Sequence, residues 1–208
     1  MKLIAIVGAD GTGKTTQAKI LESKLLTLGF RAKYIQSTYV LLELIRKRIE
    51  LPQQISPRHM AIKTHNKKKS HFLIEIMLKI SGIFYAFFTY IYVKITHGKY
   101  DFVISDRYFY QYFYDIYGNN ATKILKIFPM PDLILWLEMN SIELRRRHRE
   151  WKSIESEGDY LERISDFYKE ISQLFGFKRI HVDENPLLTA NTIITTIKET
   201  LFHDEKVG

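Results

Sequence analysis

The chain has 208 residues, a net charge of +8 and no cysteine. That length suits one domain able to bury its own core, and the missing cysteines exclude disulfides and thiolate metal centres. The basic balance points to partners that carry phosphate, for which nucleotide and nucleic acid both qualify. No linker-like composition, internal repeat or low-complexity tract divides residues 1–208, so a single domain is expected. The N-terminus runs straight into apolar sequence, which leaves no room for a signal peptide and makes the cytoplasm the expected location.

Leu3, Ile4, Ala5, Ile6 and Val7 read as a short buried strand. Directly after it stands Gly8-Ala9-Asp10-Gly11-Thr12-Gly13-Lys14-Thr15, the spacing G-x-x-x-x-G-K-[ST] of a P-loop. From Thr16 onward, Ala18, Leu21, Leu25 and Leu28 recur at helical spacing and Gly29 occupies a C′ position. The motif therefore has its required setting of buried strand, glycine loop and helix start. Glycines let the backbone turn its N–H groups toward one point, and the helix that follows adds its own unsatisfied amides and positive dipole end there. Gly8 to Thr16 is thus a candidate ATP cradle. Lys14 supplies a cation for the β- and γ-phosphates, and the Thr15 hydroxyl can ligate Mg2+.

The remaining chain alternates strands and helices. Strands are expected over residues 31–36, 100–105, 133–137 and 178–182. Helices are expected over 39–49, 71–95, 108–117, 119–128, 159–175 and 187–202, with Pro52 and Pro57 marking a loop and Asn140 or Ser141 capping a helix that ends in Arg145 to Arg149. The stretch 72–95 is the most apolar, but only 80–93 is free of charge, short of the roughly 20 residues that a bilayer span requires. It reads as a long buried helix in the core or at a self-association interface, and no membrane partner is expected. The basic stretch 58–69 reads as a solvated loop, a substrate-steering surface or a nucleic-acid contact.

Such alternation implies an α/β fold, a parallel sheet with helices on both faces and ligands beyond the carboxyl ends of the strands. The P-loop, Asp106-Arg107-Tyr108, Glu138 and Asp183 all fall at such ends. Asp106 can hold Mg2+ through water, orient an acceptor or form a structural ion pair, while Arg107 can grip a phosphate through two parallel contacts. One or two members of Arg145 to Arg149 can share a helix face toward phosphate, the others being solvated. Arg46 is a further candidate. Asp10 sits inside the P-loop, where a carboxylate repels phosphate, so it should point elsewhere, toward a sugar hydroxyl of the acceptor.

The chain resembles the thymidylate kinases. The resemblance rests on Gly8 to Gln17, Glu43-Leu44-Ile45-Arg46, Asp106-Arg107-Tyr108, Pro131 to Leu137, the arginines up to Arg149, Ile154-Glu155 and the stretch 160–171. It implies a three-layer P-loop nucleoside-monophosphate kinase fold with five parallel strands and a lid at about residues 145–158. It also implies transfer of the ATP γ-phosphate to dTMP with Mg2+, in a homodimer formed through helices. By match, Asp10 meets the deoxyribose 3′-hydroxyl, Arg46 and Arg107 hold the dTMP phosphate, and Phe84 belongs to the base-stacking segment. Lys14 and Asp106 take catalytic roles, with Thr15 and Asp106 at the metal. Gly11 stands where some members carry an arginine, which directs the catalytic arginine to the lid, at Arg147 or Arg149.

Three segments depart from the family pattern. Residues 36–41 replace R-E-P-G-G-T, the run after Tyr108 differs, and Ile83 to Phe88 is aromatic without the arginine that reads thymine. Phosphate and sugar contacts are retained, while the acceptor stays open among dTMP, another nucleotide and a deoxynucleoside. The contrasting class is an NTP-dependent regulatory or nucleic-acid-binding protein, for which a second phosphate site at Arg107 and a sugar contact at Asp10 have no use. Nucleic acid is therefore not an expected partner.

Overall fold

The computed structural model describes residues 1–37, 72–149 and 156–201. The expected helix over 39–49, the loop at Pro52 and Pro57, the basic stretch 58–69 and Arg46 lie outside the described residues, as does the side chain of Arg149.

Five strands form one sheet, β1 (Lys2–Val7), β2 (Ala32–Ile35), β3 (Phe102–Asp106), β4 (Leu133–Glu138) and β5 (Lys178–His181). Their order is β2-β3-β1-β4-β5 and every pairing is parallel. The helices are α1 (Lys14–Thr27), α2 (Phe72–Thr96), α3 (Tyr110–Tyr117), α4 (Ala121–Leu125), α5 (Ser141–Arg149), α6 (Ser156–Phe175) and α7 (Pro186–Leu201). Two compact units result. One comprises Met1–Ile35, His97–Arg107 and Met130–Gly208; the other comprises Gln36–Thr96 and Tyr108–Pro129.

The first unit holds the whole sheet. Ile4 and Ile6 of β1, Phe102 and Ile104 of β3, and Leu133, Leu135 and Leu137 of β4 pack against Ala18, Leu21 and Leu25 of α1 and Ile193 and Ile197 of α7. Strand residues of opposite parity, including Leu3, Ala5, Val7, Val103, Ile134 and Trp136, are buried as well, so both faces of the sheet are covered, as a parallel sheet demands. The local signals act as their chemistry requires. Gly29 (φ 86°) ends α1, with its N–H donated to Leu26 O (3.0 Å) and that of Phe30 to Leu25 O (3.1 Å), the paired bonds of a Schellman motif. Asn140 caps α5, accepting the Ile142 N–H on Oδ1 at 2.9 Å. Asn185 does the same for Leu187 at 3.0 Å ahead of Pro186, a residue that fits the first turn because its missing N–H would be unpaired there anyway.

The second unit is built on aromatic packing. Tyr108, Phe109 and Phe113 surround Phe128, with ring centroids 5.9, 5.4 and 5.1 Å from it, and the Tyr108 hydroxyl donates to Pro129 O at 2.6 Å. Two expectations are corrected here. The helix expected over 119–128 is a 3-10 turn (Gly118–Asn120) followed by α4, which stops at Leu125. Beyond that point Ile127 and Phe128 bond three residues back, to Ile124 O and Leu125 O, and this tighter winding aims the Phe128 ring into the core. Helix α2 is not buried all round either: Ile80, Phe84, Phe87, Phe88 and Ile95 are exposed, while Ala86, Thr89 and Val93 mark the buried side. Gly82 faces Tyr112, whose hydroxyl lies 3.0 Å from where a Cβ would sit, so a bare backbone is what lets α3 approach. No helix among the described residues is long and apolar enough to cross a membrane.

Candidate functional site

The loop between β1 and α1 is shaped by three glycines in the left-handed half of conformational space, Gly8 (φ 145°), Gly11 (93°) and Gly13 (83°). Gly8 is required twice, since a Cβ there would also lie 2.6 Å from Leu137 O on β4. Inside the loop, Ala9 O accepts from the Thr12 hydroxyl at 2.9 Å and from Lys14 Nζ at 2.6 Å. Lys14 is almost wholly buried, at 4% exposure. Burial pushes its ammonium down from 10.5 to about 8, partly offset by the nearby Asp10 carboxylate. An anion bound beside it would favour the charged form that burial disfavours.

Asp10 lies between two cations, with Oδ1 3.5 Å from Lys14 Nζ and 3.3 Å from the Arg107 guanidinium. This pairing is the physical reason why a carboxylate is tolerated inside a phosphate loop. β3 delivers Asp106 beside Ile6 in the sheet register. Asp106 is fully buried, and its Oδ2 accepts from the Thr15 hydroxyl at 2.6 Å and from the Tyr34 hydroxyl at 3.0 Å. The next residue, Arg107, takes φ 61° and donates its N–H to Ile6 O at 3.1 Å. A left-handed arginine costs on the order of 1 kcal/mol, a strain that concentrates at functional sites. Lys14, Thr15, Asp10, Asp106 and Arg107 therefore meet at the carboxyl edge of the sheet, with hydroxyl and carboxylate oxygens beside two cations.

No family model matches the chain. Thymidylate kinase of Prochlorococcus marinus strain MIT 9301 is 29% identical over 218 residues, which cover 98% of this chain and 96% of that protein. Thymidylate kinase of strain MIT 9515 is 28% identical over 96% of this chain and 97% of its own length. Over nearly its whole length the chain is similar to these thymidylate kinases. In fold it matches the crystal structure of thymidylate kinase from Ehrlichia chaffeensis with a TM-score of 0.56 at 16% identity, covering 94% of this chain and 98% of that one.

Against the family pattern, the other expected residues divide. Thr16 is exposed at the third position of α1. In α5, Arg147 donates its Nε to Glu143 at 2.7 Å and Arg146 donates two bonds to the same carboxylate at 2.7 and 2.8 Å, while Arg145 pairs with Glu162; residues 150–155 of the expected lid lie outside the described residues. Those bonds, with Arg146 the larger influence and Arg147 next, hold the Glu143 carboxyl at about 2. Phe84 belongs to the second unit, where it is exposed and stacks on Phe88 at 6.4 Å. Glu138 is paired with Arg179, which also lies 5.6 Å over the Trp136 ring. Asp183 braces the turn into α7, accepting the Asn185 N–H at 2.8 Å. Sequence reasoning missed Tyr34 and Glu143. The first gives no signal beyond being an aromatic in a strand; the second was legible as an acid three and four residues before two arginines.

Proposed function

We propose that the chain transfers the γ-phosphate of ATP to dTMP, giving dTDP and ADP, with Mg2+ as cofactor, and that it does so in the cytoplasm as a single catalytic domain that pairs into homodimers. The observation that carries this reading is the buried Lys14 inside a three-glycine loop whose neighbour Thr15 is hydrogen-bonded to Asp106, in a chain similar over its whole length to thymidylate kinases. A hydroxyl and a carboxylate are the hard oxygen donors that suit Mg2+, which completes its shell with water and substrate phosphates. Thr15 and Asp106 would hold it. When bound, it neutralises charge on the phosphates being separated.

The chain's own groups then act by position and charge. Backbone N–H groups of residues 8–16 and the start of α1 would receive the ATP phosphates, and Lys14 would bridge the β- and γ-phosphates. An oxygen of the acceptor phosphate attacks the γ-phosphorus as the bond to the β,γ-bridging oxygen breaks, and ADP leaves with that electron pair. Arg107 would hold the acceptor phosphate in two-point contact, helped by Arg46. Asp10, already fixed by Lys14 and Arg107, would receive the sugar 3′-hydroxyl, and Phe84 would offer a stacking face to the base. Arg147 or Arg149 of the lid would cover the transferring group. The exposed aromatic side of α2 supports pairing between protomers.

Incubating the chain with ATP and Mg2+ against dTMP, dUMP, thymidine and ribonucleoside monophosphates, and identifying the phosphorylated product, tests the reading. dTDP formation is expected. Preference for thymidine, or no transfer to any acceptor, would refute it.

A further inference from the structure

We propose that Tyr34 is a positioning residue, fixing Asp106 and through it the Thr15 hydroxyl that faces the metal of the bound nucleotide. The inference rests on the phosphoryl-transfer reading above.

Tyr34 lies on β2, at the edge of the sheet. Two residues of α1 fasten it there. Glu22 Oε1 accepts the Tyr34 backbone N–H at 2.7 Å, and Lys19 Nζ lies 5.9 Å over the ring. With backbone and ring both held, the phenol has little freedom beyond rotation of its O–H. That O–H donates to Asp106 Oδ2 at 3.0 Å, on the same oxygen that accepts from Thr15 at 2.6 Å. Asp106 is fully buried, so water cannot replace either donor cheaply. Two donors from different elements, one from β2 and one from α1, fix the rotation of the carboxylate about its own bond.

Thr15 is the group that benefits. A hydroxyl has one proton and two acceptor lone pairs. While Asp106 takes the proton, the lone pairs remain for a cation; if the carboxylate turns away, the hydroxyl can present its proton where the cation should be. Metal sites depend on outer partners of this kind, whose loss costs about 10- to 100-fold in metal affinity. A tyrosine kept only for packing would need its ring and not its hydroxyl, and that difference makes the proposal testable.

Tyr34→Phe removes one oxygen and keeps the ring, the Lys19 contact and the Glu22 bond. In the full-length protein, the probe is Mn2+ binding to the ATP complex, read by the free Mn2+ signal in electron paramagnetic resonance. Metal-free ATP binding in chelator, read by calorimetry, is the control. The expected result is about a tenfold loss of Mn2+ affinity with metal-free ATP affinity unchanged. Unchanged Mn2+ affinity would overturn the proposal. So would an equal loss in metal-free ATP affinity, which would mean that Tyr34 supports the loop as a whole. Failure of the wild-type protein to bind ATP would instead overturn the phosphoryl-transfer reading, and is seen before the variant is made.

Discussion

Replacing Lys14 by Met separates two consequences of one buried cation. Methionine keeps most of the unbranched stem and removes the ammonium. Burial lowers the Lys14 pKa from 10.5 to about 8, so the folded protein resists the charged form. The penalty is full below about pH 8, where both states are protonated, and amounts at most to about 3 kcal/mol. It fades as pH rises from about 8 toward 10.5, because there the unfolded chain binds the proton and the folded one does not; stability therefore rises with pH across that window. Between about pH 7.5 and about pH 9.5 the wild type should gain about 2 kcal/mol relative to Lys14→Met. Taking the difference removes other groups that titrate in the same range. Urea unfolding of both proteins at the two pH values measures it, and the same samples should show phosphoryl transfer reduced by at least about 10² in the variant. A difference in stability that does not change with pH would refute the argument from burial. Near-wild-type kcat in Lys14→Met would refute the phosphate role.

The acceptor and lid residues make further tests. Arg107→Lys should raise KM for dTMP, since an ammonium cannot reproduce the two-point contact of a guanidinium; steady-state kinetics with unchanged KM and kcat would remove Arg107 from the acceptor site. In the proposed lid, Ala at Arg147, at Arg149 and at both should lower kcat on the order of 10³ in whichever variant loses the proposed catalytic arginine, with KM for dTMP little changed. Full kcat in all three places the charge elsewhere.

What the sequence makes legible is what local chemistry decides. The P-loop is readable because its glycines, lysine and threonine act within eight consecutive residues, and Gly8, Gly11 and Gly13 do adopt positive φ. The strands are readable as apolar runs bounded by turn residues, and all five form the expected parallel sheet. Periodicity fails where a segment is apolar all round. In α2 the sequence cannot say whether Phe84 or Ala86 faces inward; α3 decides that, by bringing Tyr112 against Gly82. The end of α4 fails for a related reason, since Phe128 satisfies a helical pattern while its ring is claimed by Tyr108, Phe109 and Phe113.

Within the candidate site, the least legible feature is a contact across strands. Asp106 could be picked out because it ends a buried strand, and Thr15 because it ends a motif, but their meeting depends on β3 lying beside β1. Tyr34 reaches the same oxygen only because β2 pairs with β3 on the other side, with Tyr34 opposite Ile104 and Ile35 opposite Ser105. Shifting that register by one residue would turn Tyr34 to the other face of the sheet. The Ile35 side chain, with no donor, would then take its place. Strand order and register are set by the burial of Ile4, Ile6, Phe102 and Ile104 against α1 and α7. The chemistry at the carboxyl edge is therefore aligned by packing in the core, and mutations that loosen the pairing of β2 with β3 should disturb Asp106 without touching any group that contacts a ligand.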